Sequence, residues 1–206
     1  MIELYTAATG NGRRATLMLE ECGLAYSAQR IEIGKGAKKP ADFLVLNPQG
    51  TVPVIVDPDG PGGKRIVLNQ SGAILLYLAE KTGKLLAREG AQRALALQWT
   101  MLAITDIAPA SSGIFYATLV APEAGPAMKS HFEARFLDLC AVADRRLGAA
   151  PYLAGTELSI ADVALYPVIA GRQAVVDQAA GLANLKRWAQ AFAARPSVSR
   201  ALKVAA

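Results

Sequence analysis

The clearest pattern of apolar and polar positions lies between residues 46 and 80. Two short apolar runs rich in β-branched residues, 54–56 and 66–68, flank a seven-residue segment of Asp, Pro and Gly, which is a strong turn signal. From Gln70 onward, apolar residues recur at helical spacing. The pattern therefore predicts a strand, a turn, a second strand and a helix.

Two features of this segment bear on chemistry. Pro53 stands at the mouth of the first strand and cannot donate to a sheet ladder, which favours either a cis peptide bond or an edge strand entered by a trans proline. Gln70 and Ser71 lie in the first turn of the predicted helix. Free backbone N–H groups and the positive end of the helix dipole favour an anion there, although the helix start alternatively needs only a cap.

The first 46 residues add two strands and two helices. A loop of small residues leads into the first helix, which Gly23 ends, and Pro40 begins the second. The resulting order, β-α-β-α-β-β-α, matches a thioredoxin-like sheet. The predicted strands are 2–5 and 26–33, and the predicted helices are 13–22 and 40–46.

Beyond a connector at residues 82–90 the pattern is helical, without convincing strands. Pro109 is predicted to kink or end the first of these helices. We therefore predict an α/β thioredoxin-like N-terminal domain over residues 1–81 and an all-α helical-bundle C-terminal domain over residues 88–206. The predicted helical ranges of the second domain are 91–119, 126–147, 159–172 and 182–194.

The strongest helix start in the second half lies at residues 158–163. Ser159 can cap the helix while the Asp162 carboxylate bonds back to the backbone, and Leu158 can pack against Val163. Such a capping box stabilises a core helix, so we assign it no catalytic role.

Composition narrows the classes of function. The 206 residues are 52% apolar, which is ample for a packed core, and no run approaches the ~18 apolar residues of a membrane span. The chain start lacks the pattern of a signal peptide, so we expect a cytoplasmic protein that does not bind membranes.

The net charge of +5 comes from small scattered clusters, Arg13-Arg14, Lys35-Lys38-Lys39 and Arg145-Arg146. Without interleaved aromatics these indicate solvated helix faces, or else a small anionic ligand, rather than a nucleic-acid surface.

Few side chains could do covalent chemistry. Cys22 and Cys140 are far apart in helical contexts, so we predict neither a disulfide nor a zinc site. His131, the only histidine, lies in an amphipathic helical pattern, where a structural role is more common. A thioredoxin-like fold usually works through a CxxC motif after the first strand, but residues 9–12 contain no thiol. If this scaffold does sulfur chemistry, the thiol must arrive with a ligand.

Four features stand in a specific order along the chain: residues 51–54 around Pro53, the helix opening at 70–74, the helical second half, and the box at 159–162. Each is weak alone, but together they resemble the cytosolic glutathione transferases over the full length. Within that family the chain is most similar to the bacterial Nu-class enzymes, which act as disulfide-bond oxidoreductases. The matching residues are Thr9, Asn11 and Gly12, Gly34-Lys35-Gly36, and the run from Ser71 to Gly83.

The resemblance implies that glutathione is a co-substrate and that no metal is needed. The Val52 backbone would pair with the cysteinyl unit beside a cis Pro53, and Gln70 and Ser71 would hold the γ-glutamyl end. Lys38 stands where Nu-class enzymes place a glutamine that reaches the peptide, so a neutral contact becomes a charged one. The family more often has Glu than Gln at position 70.

Thr9 and Asn11 would lie beside the glutathione thiol as the catalytic residues, with Asn11 also binding the tripeptide. A thiol of pKa ~8.5 must be lowered by about two units to be largely ionised at neutral pH, which corresponds to ~2.7 kcal/mol. One hydrogen bond to a charged group contributes ~1.5–3 kcal/mol, so two donors suffice without a general base. Tyr5 is an alternative donor that we rank lower, because a packed ring is expected inside a strand.

The predicted function is glutathione-dependent disulfide reduction or conjugation of glutathione to a small apolar electrophile, which residues around 101–116 would select. A non-catalytic binding or interaction protein of the same fold is the alternative. The family's usual partner is a second copy of the chain. A basic residue that Nu-class enzymes supply from the partner subunit aligns near His131, with Arg135 one turn further on.

Overall fold

The computed structural model describes residues 1–34 and 36–204, with the backbone alone for Ala124. The Gly34-Lys35-Gly36 match therefore lies partly outside the described residues. The chain divides into two compact units, unit 1 comprising Met1–Lys84 with Ala194–Ala206, and unit 2 comprising Leu85–Ala193.

Unit 1 is built on a four-stranded sheet with helices, and its β-α-β-α-β-β-α order is the predicted one. The α/β thioredoxin-like prediction for this half of the chain is thus confirmed. In chain order the elements are β1 (Ile2–Thr6), α1 (Gly10–Cys22), β2 (Tyr26–Arg30), α2 (Ala41–Leu46), β3 (Val54–Asp57), β4 (Ile66–Asn69) and α3 (Ser71–Thr82).

The strand order in the sheet is β2-β1-β3-β4, with β1 parallel to β2 and the other neighbours antiparallel. In register, Leu4 lies opposite Ile55, and Ile55 lies opposite Leu68. Val54 and Ile55 are both fully buried, although consecutive strand residues point to opposite faces. The sheet is therefore covered on both faces at β3, and the edge-strand interpretation is wrong because β3 pairs with a strand on each side.

The boundaries of α1 come from its two caps. Thr9, in extended conformation, caps the start, so the helix begins at Gly10 rather than at the predicted Arg13. Gly23 ends it with a left-handed φ of 70°, and its N–H donates to the Glu20 carbonyl at 3.2 Å. The predicted glycine stop is thus confirmed, because a residue without a side chain adopts this conformation readily.

Unit 2 consists of helices, and none of its described residues forms a strand, which confirms the predicted all-α second half. The predicted domain ranges of 1–81 and 88–206 stay a prediction. The helices of unit 2 are α4 (Gly90–Met101), α5 (Ala108–Phe115), α6 (Gly125–Ala149), α7 (Ile160–Ala170), α8 (Gln173–Gln178) and α9 (Ala183–Ala193), with π-helical segments at Leu102–Ile107 and Tyr116–Val120.

Pro109 lies inside a continuous helix, Gly90–Val120, so it does not end the helix. The π-helical segment Leu102–Ile107 comes directly before α5. A proline cannot donate to the preceding turn, and a locally wider turn is one way in which a helix accommodates that missing donor. The predicted interruption is therefore a change of helix type rather than a stop.

The same stretch, Gly90–Val120, is long and apolar enough to cross a membrane by length and composition alone, which the pattern of apolar residues in the sequence did not predict. A core helix of a folded domain passes the same test, and here α4 packs against α7 while α5 packs against α6.

The capping box at Ser159 is confirmed. The Ser159 hydroxyl accepts from the Ala161 N–H at 3.3 Å, and the Ser159 N–H donates to the Asp162 carboxylate at 3.0 Å. Asp162 is fully buried and also accepts from the Leu153 N–H at 3.1 Å and the Trp188 Nε1–H at 3.0 Å. The box thus holds together the core of unit 2, in keeping with the structural role expected for it.

The last helix, α10 (Pro196–Val204), belongs to unit 1 and packs against α1. Arg195 donates two hydrogen bonds to the Glu21 carboxylate at 2.6 and 2.7 Å, and the Ser197 hydroxyl donates a third. Burial alone would raise the pKa of Glu21, but these hydrogen bonds bring the pKa below its ordinary value of 4.5. The carboxylate therefore stabilises the attachment of the C-terminal helix.

Candidate functional site

Thr9 is the N-cap residue of α1. Its hydroxyl oxygen accepts a hydrogen bond from the Gly12 N–H at 3.0 Å, and its backbone carbonyl accepts from the Arg13 N–H at 2.9 Å. A hydroxyl that accepts at its oxygen still carries its own proton to donate. The cap therefore fixes the position of the Thr9 hydroxyl and leaves one donor for a ligand.

The loop that holds Thr9 is tightly packed at Gly12. A Cβ atom at this position would lie 2.3 Å from the Ala7 carbonyl oxygen and 2.7 Å from the Thr6 hydroxyl. Only glycine lets the chain turn from β1 into α1 this closely. The presence at Gly12 of the same residue as in the Nu-class enzymes thus has a structural reason that is independent of any ligand.

The side chain of Asn11 is linked to the start of α3 by hydrogen bonds to Arg14 and Ser71. The Asn11 carbonyl oxygen Oδ1 accepts from Arg14 Nη1 at 2.6 Å and from the Ser71 hydroxyl at 3.4 Å. Asn11 itself is exposed, whereas Ser71 and Arg14 are buried. The structure therefore brings the predicted thiol-side residue Asn11 next to the predicted carboxylate-side residue Ser71.

The N-terminus of α3 has backbone donors that precede the first hydrogen bond of the helix. The first intrahelical hydrogen bond runs from the Ile74 N–H to the Gln70 carbonyl at 3.0 Å, so the N–H groups of Ser71, Gly72 and Ala73 precede it. The Gln70 side chain makes no capping hydrogen bond to the part of the chain that the structure describes. These N–H groups and the helix dipole favour an anion at this point.

Gln70 is the N-cap residue of α3 rather than a member of its first turn. Its φ of 68° and ψ of 111° lie in the left-handed half of conformational space, which residues with a side chain rarely adopt. Strained conformations of this kind concentrate at binding sites. The Gln70 side chain is exposed, and its Nε2 donates a long hydrogen bond of 3.5 Å to Gln49 Oε1.

The peptide bond between Val52 and Pro53 is cis, which confirms that sequence prediction. The segment before it is tied to its surroundings by Asn47, which is buried. The Asn47 side chain donates to the Thr51 carbonyl at 2.8 Å and accepts from Asn69 Nδ2 at 3.3 Å. The backbone at Val52 is thus held in place beside the strand that leads into α3.

The ring of Tyr5 is packed in the core of unit 1. Only 8% of the residue is exposed, and its ring centroid lies 5.7 Å from that of Phe43. Its hydroxyl donates to Glu3 at 3.1 Å, and desolvation followed by this carboxylate raises the pKa of Tyr5. The expected packing role is therefore what the structure has, and the raised pKa makes Tyr5 a poorer donor to a thiolate.

Three residues singled out from the sequence have no described contact with this cluster. Lys38 is exposed in the loop between β2 and α2, and no described contact joins it to Asn11 or Ser71. His131 and Arg135 are exposed on α6 of unit 2, where Arg135 lies 3.9 Å from Asp106. The contacts proposed for these residues stay predictions.

Arg14 is a site residue that the sequence interpretation missed. The solvated helix face predicted for the Arg13-Arg14 pair is wrong for Arg14, because only 2% of it is exposed, and the alternative of a small anionic ligand stays a prediction. The available signal was spacing, since Arg14 lies three positions after Asn11 and shares the helix face of Leu17 and Met18. A cation on the apolar face of an amphipathic helix needs a partner inside the protein.

The cluster in unit 1 offers donors rather than an acid, a base or a nucleophile. Among the described residues, no group of three or more His, Cys, Asp or Glu is close enough to hold a metal ion. The donors are the Thr9 hydroxyl, the Asn11 amide and the N–H groups of α3. Such a site is suited to a small ligand that brings two anionic groups, one beside Thr9 and Asn11 and one at α3.

Comparison with known families gives two matches along the chain. The family model for the glutathione S-transferase N-terminal domain matches residues 11–81, and the model for the C-terminal domain matches residues 107–196. The first match contains Asn11, Pro53 and Ser71, and the second contains the Ser159 capping box.

Individual relatives cover nearly the whole chain. The disulfide-bond oxidoreductase YfcG of Escherichia coli (strain K12) is 37% identical over 98% of this chain and 94% of its own. A glutathione transferase family member from Pseudomonas fluorescens pf-5, solved with two glutathione bound, is 34% identical with a TM-score of 0.90 over 98% and 92% of the two chains. A glutathione transferase from Pseudomonas putida, solved with one glutathione disulfide per subunit, is 33% identical with a TM-score of 0.89 over 100% and 92%.

Proposed function

Because the chain belongs to the glutathione S-transferase family, we propose that it is an enzyme that binds glutathione as a thiolate in unit 1. The observation that carries the proposal is the link from Asn11 through Arg14 to Ser71. This link joins a donor pair suited to a thiolate to a helix N-terminus suited to a carboxylate.

Glutathione carries its γ-glutamyl carboxylate and its thiol several bonds apart, and each has a proposed partner here. The carboxylate binds the N–H groups at Ser71, with Gln70 contacting the same end of the tripeptide. The cysteinyl unit pairs with the Val52 backbone beside the cis Pro53. Lys38 is proposed to reach the peptide as an exposed cation.

Thr9 and Asn11 are the proposed catalytic residues, because each has a donor for which the described residues show no partner. The Thr9 hydroxyl accepts its capping bond and keeps its proton. Asn11 uses its carbonyl for Arg14 and keeps its N–H groups. Two donors to a charged sulfur cover the ~2.7 kcal/mol that a two-unit fall of the thiol pKa requires.

The reaction that we favour is reduction of a disulfide. A glutathione thiolate attacks one sulfur, a mixed disulfide forms, and the other sulfur leaves as a thiolate that takes a proton. A second glutathione thiolate attacks the glutathione sulfur of the mixed disulfide, releasing the second thiol and glutathione disulfide, so two glutathiones supply the two electrons. The name of YfcG, and the relatives solved with two glutathione or with glutathione disulfide, support this choice.

Conjugation of glutathione to a small apolar electrophile is the second candidate activity. It needs the same thiolate and an apolar surface for the second substrate. Exposed apolar side chains occur in unit 2 at Met101, Phe115 and Tyr116, within the range that the sequence indicated. The comparisons give no support to a non-catalytic binding protein.

The test begins with calorimetric titration of the protein with glutathione. It is followed by turnover with bis(2-hydroxyethyl) disulfide and, in parallel, with 1-chloro-2,4-dinitrobenzene. Binding together with turnover of the disulfide supports the favoured reaction, and turnover of the aryl halide alone supports conjugation. Absence of binding at millimolar glutathione would contradict the proposed site.

We further propose that the protein is a cytoplasmic homodimer. Apolar side chains are exposed along the end of the Gly90–Val120 helix, with Leu119 70% and Tyr116 58% exposed, and His131 and Arg135 lie exposed on α6 for a partner subunit. Light scattering at micromolar protein is expected to give twice the 21.6 kDa of one chain. A stable mass of one chain would refute the dimer.

A further inference from the structure

Arg14 is a buried cation under the proposed site. Its Nη1 donates to Asn11 Oδ1 at 2.6 Å and lies 3.4 Å from the Ser71 hydroxyl oxygen. Burial lowers the pKa of Arg14 to about 10, so the guanidinium is still protonated at neutral pH. Because only 2% of Arg14 is exposed, it offers almost no surface to glutathione. An effect of Arg14 on glutathione must therefore pass through the residues that it contacts.

The contact with Arg14 determines which way the Asn11 amide faces. An amide has a carbonyl end that accepts and an NH2 end that donates, whereas a guanidinium only donates. The carbonyl end must therefore face Arg14, and the Ser71 hydroxyl bonds to the same oxygen. A short hydrogen bond from a charged donor is among the stronger ones in proteins, so the reversed amide, with donor against donor, is strongly disfavoured.

We propose that Arg14 is a positioning residue, which locks the Asn11 amide with its N–H groups presented to the thiol of glutathione. This inference rests on the proposed function, in which Asn11 stabilises the thiolate. A donor fixed in advance does not have to be reoriented when the thiol ionises, and such preorganisation is the main source of electrostatic stabilisation in enzyme sites. Arg14 thereby connects the anchoring of α3 to the chemistry at α1.

The inference is tested by ultraviolet titration of thiolate absorbance in the complexes of glutathione with wild type, Arg14→Met and Arg14→Lys. Arg14→Met frees the amide to take either orientation, and this two-fold choice by itself raises the thiol pKa by up to about 0.3 unit. Arg14→Lys keeps a charged donor and is expected to restore most of the wild-type pKa. Met18→Ala, a buried change in the same helix, controls for loss of stability and should leave the thiol pKa unchanged.

A double variant separates positioning from a general effect of charge. If Arg14 acts through Asn11, Arg14→Met should raise the thiol pKa in the wild-type background and have no further effect in an Asn11→Ala background. An equal rise in both backgrounds would overturn the positioning role, because the cation would then act on the thiolate directly. No rise in either background would overturn it as well.

The outcome also separates this inference from the proposed function. A wild-type complex without thiolate contradicts both, whereas a wild-type thiolate that Arg14→Met leaves unchanged overturns the inference alone. If Arg14→Met does not fold, as judged by circular dichroism, Arg14→Gln replaces it. That variant has an amide that can itself present either end to Asn11, so it is expected to raise the thiol pKa, and an unchanged pKa would again overturn the inference.

Discussion

Thr9 has two proposed functions, and a set of substitutions can separate them. As the N-cap of α1, its hydroxyl oxygen accepts from the Gly12 N–H at 3.0 Å. As a proposed catalytic residue, its hydroxyl proton is donated to the glutathione thiolate. Thr9→Ala removes both functions, so stability and thiol ionisation should both fall.

The magnitudes follow from the two hydrogen bonds. Loss of an N-cap side chain costs about 1 kcal/mol of stability, which lowers the melting temperature by about 2–4 °C for a chain of this size. If Thr9 and Asn11 share the ~2.7 kcal/mol of thiolate stabilisation equally, losing one donor raises the thiol pKa by about one unit. Affinity for the tripeptide should change little, because the contacts at Ser71 and Val52 remain.

Thr9→Ser and Thr9→Asp are the matched controls. Serine retains both the cap and the donor, so stability and thiol pKa should stay close to those of wild type. Aspartate retains the cap, since its carboxylate accepts from the Gly12 N–H, but it has no proton to donate and places a negative charge beside the thiol. The Thr9→Asp variant should therefore be about as stable as wild type while its thiol pKa rises more than in Thr9→Ala.

The assay is ultraviolet titration of the glutathione complexes between pH 5 and 10, beside thermal denaturation of the same variants. A thiol pKa in Thr9→Asp equal to that of wild type would refute the donor role and leave Thr9 a cap alone. A melting temperature unchanged in Thr9→Ala would instead refute the cap as a source of stability.

Three further predictions follow from other contacts. Ser71→Ala should weaken glutathione binding modestly and Gln70→Ala more, because backbone donors survive the first change; calorimetry showing the reverse order would contradict this. Tyr5→Phe should leave the thiol pKa of bound glutathione unchanged and lower stability slightly, and a large pKa rise would make Tyr5 the thiolate donor. Glu21→Gln should lower the free energy of unfolding by about 1–3 kcal/mol at pH 7. The pKa of Glu21 is lowered in the fold, so this contribution is present above pH 4.5 and lost as pH falls below it. Urea denaturation at several pH values measures the difference in free energy of unfolding between wild type and Glu21→Gln. A difference that does not change with pH would contradict the prediction.

Local patterns were sufficient for the architecture of each half. The runs at 54–56 and 66–68, the turn between them and the helical spacing after Gln70 predicted β3, β4 and α3. The periodicity of apolar residues indicates which side of a helix or strand is buried, and a glycine or a capping side chain indicates where a helix ends. The residue type at Pro53 allows a cis bond and a trans bond alike, so the cis bond was predictable only from the family resemblance.

The contacts that assemble the candidate site depend on residues far apart in the sequence. Arg14 and Ser71 are 57 positions apart, and Glu21 and Arg195 are 174 apart. A dipeptide such as Arg13-Arg14 does not show which of the two arginines has a buried partner, so the sequence predicts the same solvated helix face for both. The packing of α10 in unit 1 could not be predicted for the same reason, since no local pattern indicates the helix against which it packs.

The sequence by itself determined the element order, the family resemblance and the residue types that we propose to lie near a bound thiol, because all of these depend on short local patterns. Only the tertiary structure decided that Tyr5 packs against Phe43, that Arg14 is buried, and that Asn11 bonds to both Arg14 and Ser71. The physical reason is that a hydrogen bond in a buried site depends on geometry at the scale of tenths of an ångström. That geometry arises only when β1, α1 and α3 pack together.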